Sequence, residues 1–132
     1  MMENKGTILL VDDDFYLNNA NQNEFYRRGY LVLTATSCNE ARAMLKEVEP
    51  DIIIMEVVLP DGNGFNFCNE ISSRTEASIV FLTIKSDKKD MIRGIKLGCD
   101  EYIYKPYCRD VMVARVEAIM RRRVNFRKLG GL

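Results

Sequence analysis

Apolar residues in this chain come in short unbroken runs, and most of the runs stop at a polar or charged residue. "TILLV" (Thr7 to Val11) stops at Asp12, Asp13 and Asp14, and "IIIM" (Ile52 to Met55) stops at Glu56. "SIVFLT" ends on Thr83, "YIY" runs into Lys105-Pro106, and "YLVLTA" completes the set. Runs this short, apolar at successive positions, are those of strands buried on both faces. Between them the apolar spacing changes to three and four residues, which predicts helices. One spans about Phe15 to Arg28, with Gly29 as its C-cap. Ser37 and Glu40 read as a capping box that opens a second, through Glu47, with Ala41, Met44, Leu45 and Val48 on one face before Pro50 breaks it. Three more are expected from Gly64 to about Ser73, from Asp87 to Leu97 before Gly98, and from Arg109 to Arg123. The terminal Arg121, Arg122 and Arg123 suit the last helix's dipole. The first helix is unusually polar, with Asn18, Asn19, Asn21 and Asn23.

Five strands alternating with five helices predict an α/β fold: a doubly wound, five-stranded parallel sheet of order 2-1-3-4-5 with helices on both faces. The 132 residues fit one domain, expected over 1–124, with "NFRKLGGL" (125–132) as a frayed tail or the start of a linker. The 47% hydrophobic and 29% charged residues suit a globular domain, and zero net charge removes any global pull toward nucleic acid or acidic lipid. No run is long enough for a membrane span and the N-terminus lacks a signal-peptide pattern, so a cytoplasmic location without membrane contact is expected. Cys38, Cys68, Cys99 and Cys108 show no CxxC spacing and there is no histidine. They read as small hydrophobes rather than zinc ligands or disulfides.

Open sheets of this kind bind ligands beyond the C-terminal strand ends, at the point where strand order reverses. The polar residues converge there: Asp12 and Asp13, Glu56, Thr83 and Lys105. Three carboxylates offer hard oxygen donors for Mg²⁺ or Mn²⁺, while a lysine and a hydroxyl offer charge and a proton to an anionic oxygen. That set suits phosphoryl chemistry. No Walker A loop or GxGxxG is present. A flavin site is the fold-level rival, but the acidic first loop would repel a flavin phosphate.

The stretches "ILLVDDD", "DIIIMEVVLPDGNGF", "IVFLT", "GIKLGCDEYIYKPY" and "VARVEAIMRRR" resemble the receiver domain of two-component response regulators, of the CheY-like superfamily and the OmpR/PhoB class. The resemblance runs from Thr7 to about Arg123. It implies that Asp12 and Asp13 hold Mg²⁺ with the Val58 carbonyl and the residue at position 56, though weakly or not at all here. It implies that Thr83 contacts a phosphoryl group and that Lys105 pairs with it, before a Pro106 whose bond is often cis. Tyr102 matches an aromatic switch that turns inward on activation. Implied partners are a sensor histidine kinase, DNA through a winged-helix effector domain not in this sequence, and a second copy of the chain.

Glu56 stands where the family has its phosphoaccepting aspartate. The extra methylene adds roughly 1.5 Å of stem. The expectation is a receiver without ordinary aspartyl phosphorylation, in which Glu56 either mimics the phosphoryl group or merely leaves the site inactive. A receiver phosphorylated on Glu56, a stand-alone CheY-like protein and a flavin protein are the alternatives. Ile84, where the family has a small residue, is either a cover over the pocket or an ordinary strand residue, and Cys108 replaces a common capping serine. The resemblance also implies a symmetric dimer through the fourth helix, fifth strand and fifth helix. Asp100 with Arg122 and Glu101 with Arg115 match its charge pairs, and Met91 and Val111 replace a third pair by apolar groups.

Overall fold

A computed structural model describes residues 4–130. Its elements, in chain order, are β1 (Thr7–Val11), α1 (Phe15–Arg27), β2 (Leu31–Ala35), α2 (Cys38–Leu45), β3 (Ile52–Met55), β4 (Val58–Leu59), β5 (Gly62–Asn63), α3 (Gly64–Ile71), β6 (Ser78–Thr83), α4 (Lys88–Lys96), β7 (Glu101–Tyr104) and α5 (Arg109–Lys128). Five strands form one parallel sheet in the order β2-β1-β3-β6-β7. Apart from the β4–β5 hairpin this is the expected 2-1-3-4-5 winding. The central strands are buried on both faces, so their side chains divide between two cores. Leu9, Val11, Ile53, Met55 and Phe81 pack against α2 and α3 through Ala41, Phe65 and Ile71. Ile8, Leu10, Ile54, Val80 and Leu82 pack against α1 and α5 through Phe25, Met112, Val116 and Ile119.

Local chemistry sets several element ends. The Ser37 hydroxyl accepts from the Glu40 amide, as the capping box predicts, while Glu40 reaches back to the Thr36 amide. Gly29 follows α1 at φ 103°, a left-handed conformation that glycine adopts without penalty. Cys108 occupies the N-cap of α5 and makes no side-chain cap bond. The Pro60-Asp61 stretch is the tip of the antiparallel β4–β5 hairpin. Its Asp61 carboxylate accepts from the amides of Cys38 and Asn39, so the hairpin also caps α2.

The expected end of the last helix at Arg123 is a correction. α5 continues past Arg123 to Lys128, because its late arginines find acceptors at the amino-terminal edge of the sheet. Arg123 donates to the Glu76 carbonyl and the Ser78 hydroxyl, and Arg127 donates to Asp51 at 2.8 Å. Gly131 and Leu132 lie outside the described residues.

Candidate functional site

Each strand end at the switch point delivers one polar side chain into the same small volume. Asp12 follows β1, Glu56 follows β3 and Thr83 ends β6, and all three are buried. Lys105 follows β7 and reaches back over them. Its Nζ lies 2.6 Å from Asp12 Oδ2 and 2.9 Å from Glu56 Oε2. The Lys105-Pro106 peptide is cis.

Glu56 is the hub. Its Oε1 accepts from the Thr83 hydroxyl and from the amides of Val57 (2.7 Å) and Val58 (3.2 Å). Its Oε2 accepts from Lys105 and, at 3.4 Å, from the Ile84 amide. A buried carboxylate with this many donors is stabilised as the anion. Burial alone would push the Glu56 carboxyl upward, but Thr83, Lys105 and the Val58 amide outweigh it and hold the group below the usual glutamate value. For Asp12 burial prevails: its carboxyl stays above the usual aspartate value despite Lys105 and the Asp14 amide. Burial disfavours the Lys105 ammonium, yet its bonds to Asp12 and Glu56 raise it above the ordinary lysine value.

These contacts bear on the metal expected from sequence. Asp13 is exposed and stands outside the cluster. Val58 reaches it through its amide, donating to the carboxylate. Lys105 occupies the acidic side of the site, and Glu56 has turned to Thr83. Among the described residues no three histidine, cysteine or acidic side chains are grouped to hold a metal ion. In this arrangement the donor set does not fit a divalent cation, and Lys105 supplies the positive charge instead.

Next to the site, Tyr102 is 8% exposed. Its ring stacks on Phe65 at 6.3 Å and lies 5.9 Å from Phe81, and its hydroxyl donates to the Lys85 carbonyl at 2.7 Å. The matching space on α4 is Gly94, where a Cβ would come within 2.7 Å of the Tyr102 ring. Ile84, weighed from sequence as a cover or an ordinary strand residue, is 61% exposed, and its backbone amide donates to Glu56.

The sequence profile of the response regulator receiver domain matches residues 8–117. The chain belongs to that family. Among curated relatives, the receiver is 32% identical over 121 residues to "Probable transcriptional regulator ycf27" of Guillardia theta, covering 92% of this chain and 48% of the relative. It is 34% identical over 116 residues to "Transcriptional regulatory protein AfsQ1" of Streptomyces coelicolor, covering 88% and 52%. The receiver thus spans about half the length of these relatives. Among solved structures it is similar to a two-component response regulator from Clostridium difficile, with 28% identity, a TM-score of 0.85, and coverage of 89% of this chain and 97% of the other.

The face expected to pair with a second receiver has α4, β7 and α5 side by side. Arg115 already pairs with Glu101 of its own chain at 3.1 Å. Asp100 accepts from the Ile79 amide, and it and Arg122 line one cleft without a bond between them. Met91 is half-buried, and its sulfur accepts from the Tyr104 hydroxyl at 2.9 Å. Ile92, Ile95 and Val111 are exposed apolar groups on this face. No helix among the described residues is long and apolar enough to cross a membrane.

Sequence reasoning missed the support beneath the cluster. Asn18 donates from Nδ2 to the carbonyls of Asp12 (2.7 Å) and Ala35 (3.2 Å), fixing the start of the acidic loop. Asn21, one turn on, donates to the Tyr107 hydroxyl at 3.0 Å. The signal was available: residues 18, 21 and 25 share a helix face, and Phe25 marks that face as the buried one.

Proposed function

We infer that this receiver is the regulatory domain of a transcriptional regulator, held by Glu56 in the arrangement that phosphorylation would otherwise impose. The observation that carries this reading is one carboxylate engaging both Thr83 and Lys105 while Tyr102 is folded inward. In the family those are the hydroxyl and the ammonium that meet a phosphoryl oxygen, and the aromatic ring that follows them. The longer stem of glutamate carries its oxygens to those donors. It brings one negative charge where a phosphoryl group brings roughly two, so the mimicry is partial. The names of the two curated relatives support the transcriptional role. DNA contact would belong to an effector domain outside this sequence. A sensor histidine kinase would meet Glu56 rather than an aspartate at the acceptor position.

The test is labelling. Incubation with acetyl phosphate and Mg²⁺ is expected to leave the intact mass unchanged, because both Glu56 oxygens are engaged and displaced by roughly a carbon–carbon bond from an aspartate's position. Glu56→Asp is expected to gain one phosphoryl group. A stable gain on the wild-type chain that Glu56→Gln abolishes would overturn the reading in favour of a phosphorylatable glutamate.

The same reading supplies a partner, a second copy joined through α4, β7 and α5. The exposed Ile92 and Val111 give this seam an apolar part that salt does not screen. Sedimentation is expected to show a concentration-dependent dimer without phosphodonor, weakened only modestly by salt. Val111→Glu and Arg115→Glu are each expected to raise Kd on the order of tenfold or more, the first by burying a carboxylate, the second by setting two acids together. A monomer at every concentration, or a dimer indifferent to both changes, removes this interface.

A further inference from the structure

The asparagines of α1 raise a separate question. Asparagine is a poor helix former, and its amide is costly to bury unless both ends are bonded. Asn18 is 5% exposed, and Asn21 is 2% exposed. The amide nitrogen of Asn21 is satisfied by Tyr107, but its Oδ1 is buried with no hydrogen-bond partner. Asn21 lines a small, partly enclosed cavity under the acidic cluster, whose other polar walls are Asp12, Asn18 and Glu56, with Leu10 and Leu82 among the apolar ones. The cavity leaves about 10 Å³ for the centre of a water-sized sphere, close to what one water needs. Rotating the amide by half a turn would only exchange which polar atom faces this space.

We propose that this cavity binds one water molecule, which donates to Asn21 and to a carboxylate of the Asp12–Glu56 cluster and so joins α1 to the site. The acceptor count favours water. A water brings two hydrogens, Asn21 offers an unused oxygen, and the two Asp12 oxygens, each with one partner (the Asp14 amide and Lys105), keep a second lone pair that the fully engaged Glu56 oxygens lack. Asn21 thereby becomes a positioning residue. Its nitrogen holds Tyr107, two residues past Lys105, and its oxygen reaches the acids that Lys105 neutralises. This holds whether or not Glu56 acts as a phosphoryl mimic.

The experiment is a crystal structure of the wild-type chain at a resolution that places solvent, with thermal unfolding of Asn21→Leu beside it. A solvent peak is expected within hydrogen-bond distance of Asn21 and of Asp12 or Glu56. Leucine is expected to lower Tm by several degrees, because it strands the Tyr107 hydroxyl and expels the bridge. Oxygen-17 relaxation dispersion is expected to count one fewer long-lived water in that variant. An empty cavity in the wild-type crystal, a peak at metal-coordination distances, or a higher Tm for Asn21→Leu overturns the proposal. The last would mean that Oδ1 is an unrelieved acceptor, which leucine removes. The wild-type crystal decides even if the leucine variant does not fold.

Discussion

Lys105→Met is expected to destabilise the receiver by roughly 3 kcal/mol at neutral pH, the cost of removing one partner from a buried ion pair. The side chains of Asp12 and Glu56 are only 8% and 4% exposed, and Lys105 is the positive charge beside both. Methionine keeps most of the stem and its packing, so the loss falls on the charge. Two buried carboxylates would then face each other without compensation. For a domain this size the effect is a fall in Tm on the order of 10 °C. The pH dependence follows from the sign of each shift. In the wild type, Glu56 lies below its unfolded value, so its contribution is present above that value and fades as pH falls through its folded one. Lys105 lies above its unfolded value, so its contribution fades as pH rises through its folded one. Without Lys105 both carboxyls are driven upward, and the folded state takes up protons as acid is added. The gap between variant and wild type is therefore expected to narrow from pH 7 toward pH 4. Glu56→Gln placed on Lys105→Met is expected to recover part of the loss, since it removes one of the two unpaired charges. Urea titrations at the two pH values measure this. A gap that is constant with pH, or a double variant no more stable than the single, would show that the ammonium is not what holds the acids.

Much of this arrangement could be read from residue order. Each apolar run is short and ends on a polar residue, and a parallel sheet places all those ends on one edge. The winding order and the convergence of Asp12, Glu56, Thr83 and Lys105 followed from that, and the family came from the resemblance of the motif stretches around them. The contacts Glu56 would make were open, because they depend on where a flexible stem comes to rest. The structure places it against Thr83 and the Val57 and Val58 amides rather than beside Asp13.

Three other features were hidden for distinct physical reasons. The last turns of α5 read as a tail because "NFRKLGGL" has no apolar stripe. Arg127 instead ties them to Asp51, and Arg123 just before them is held by Glu76 and Ser78, all far away in sequence. Whether Met91 belonged to an interface, ordinary surface or core was open, because helical spacing alone does not say which flank of an amphipathic helix turns toward a neighbouring tyrosine. Asn21 read as one more asparagine of an unusually polar helix; Phe25 marked its face as the buried one, but its partner Tyr107 lies 86 residues away in sequence.

Gly64→Ala is expected to be more damaging than any exposed substitution in the chain, at about 3 kcal/mol, the upper end of overpacking. Gly64 opens α3 directly behind the Glu56–Val57 segment, and its amide donates to the Val57 carbonyl at 2.7 Å. A Cβ there would lie 2.5 Å from the Glu56 carbonyl oxygen and 2.9 Å from the Val57 Cα. Those are backbone atoms, so no rotamer change relieves the contact. Either α3 withdraws from the sheet or the chain carrying Glu56 shifts, and in both cases the carboxylate leaves Thr83 and Lys105. Gly98 provides the contrast. It sits at φ +90° with nothing within 4 Å of a built Cβ, so Gly98→Ala meets backbone strain but no clash. Its expected cost is roughly 1–2 kcal/mol, and it should leave the site intact. Thermal unfolding ranks the two variants, and the amide resonances of Val57, Val58 and Ile84 report whether Glu56 has moved. Large shifts at those amides in Gly64→Ala but not in Gly98→Ala are expected. Equal losses of stability with undisturbed amides in both would mean that the close approach of α3 does not position the carboxylate.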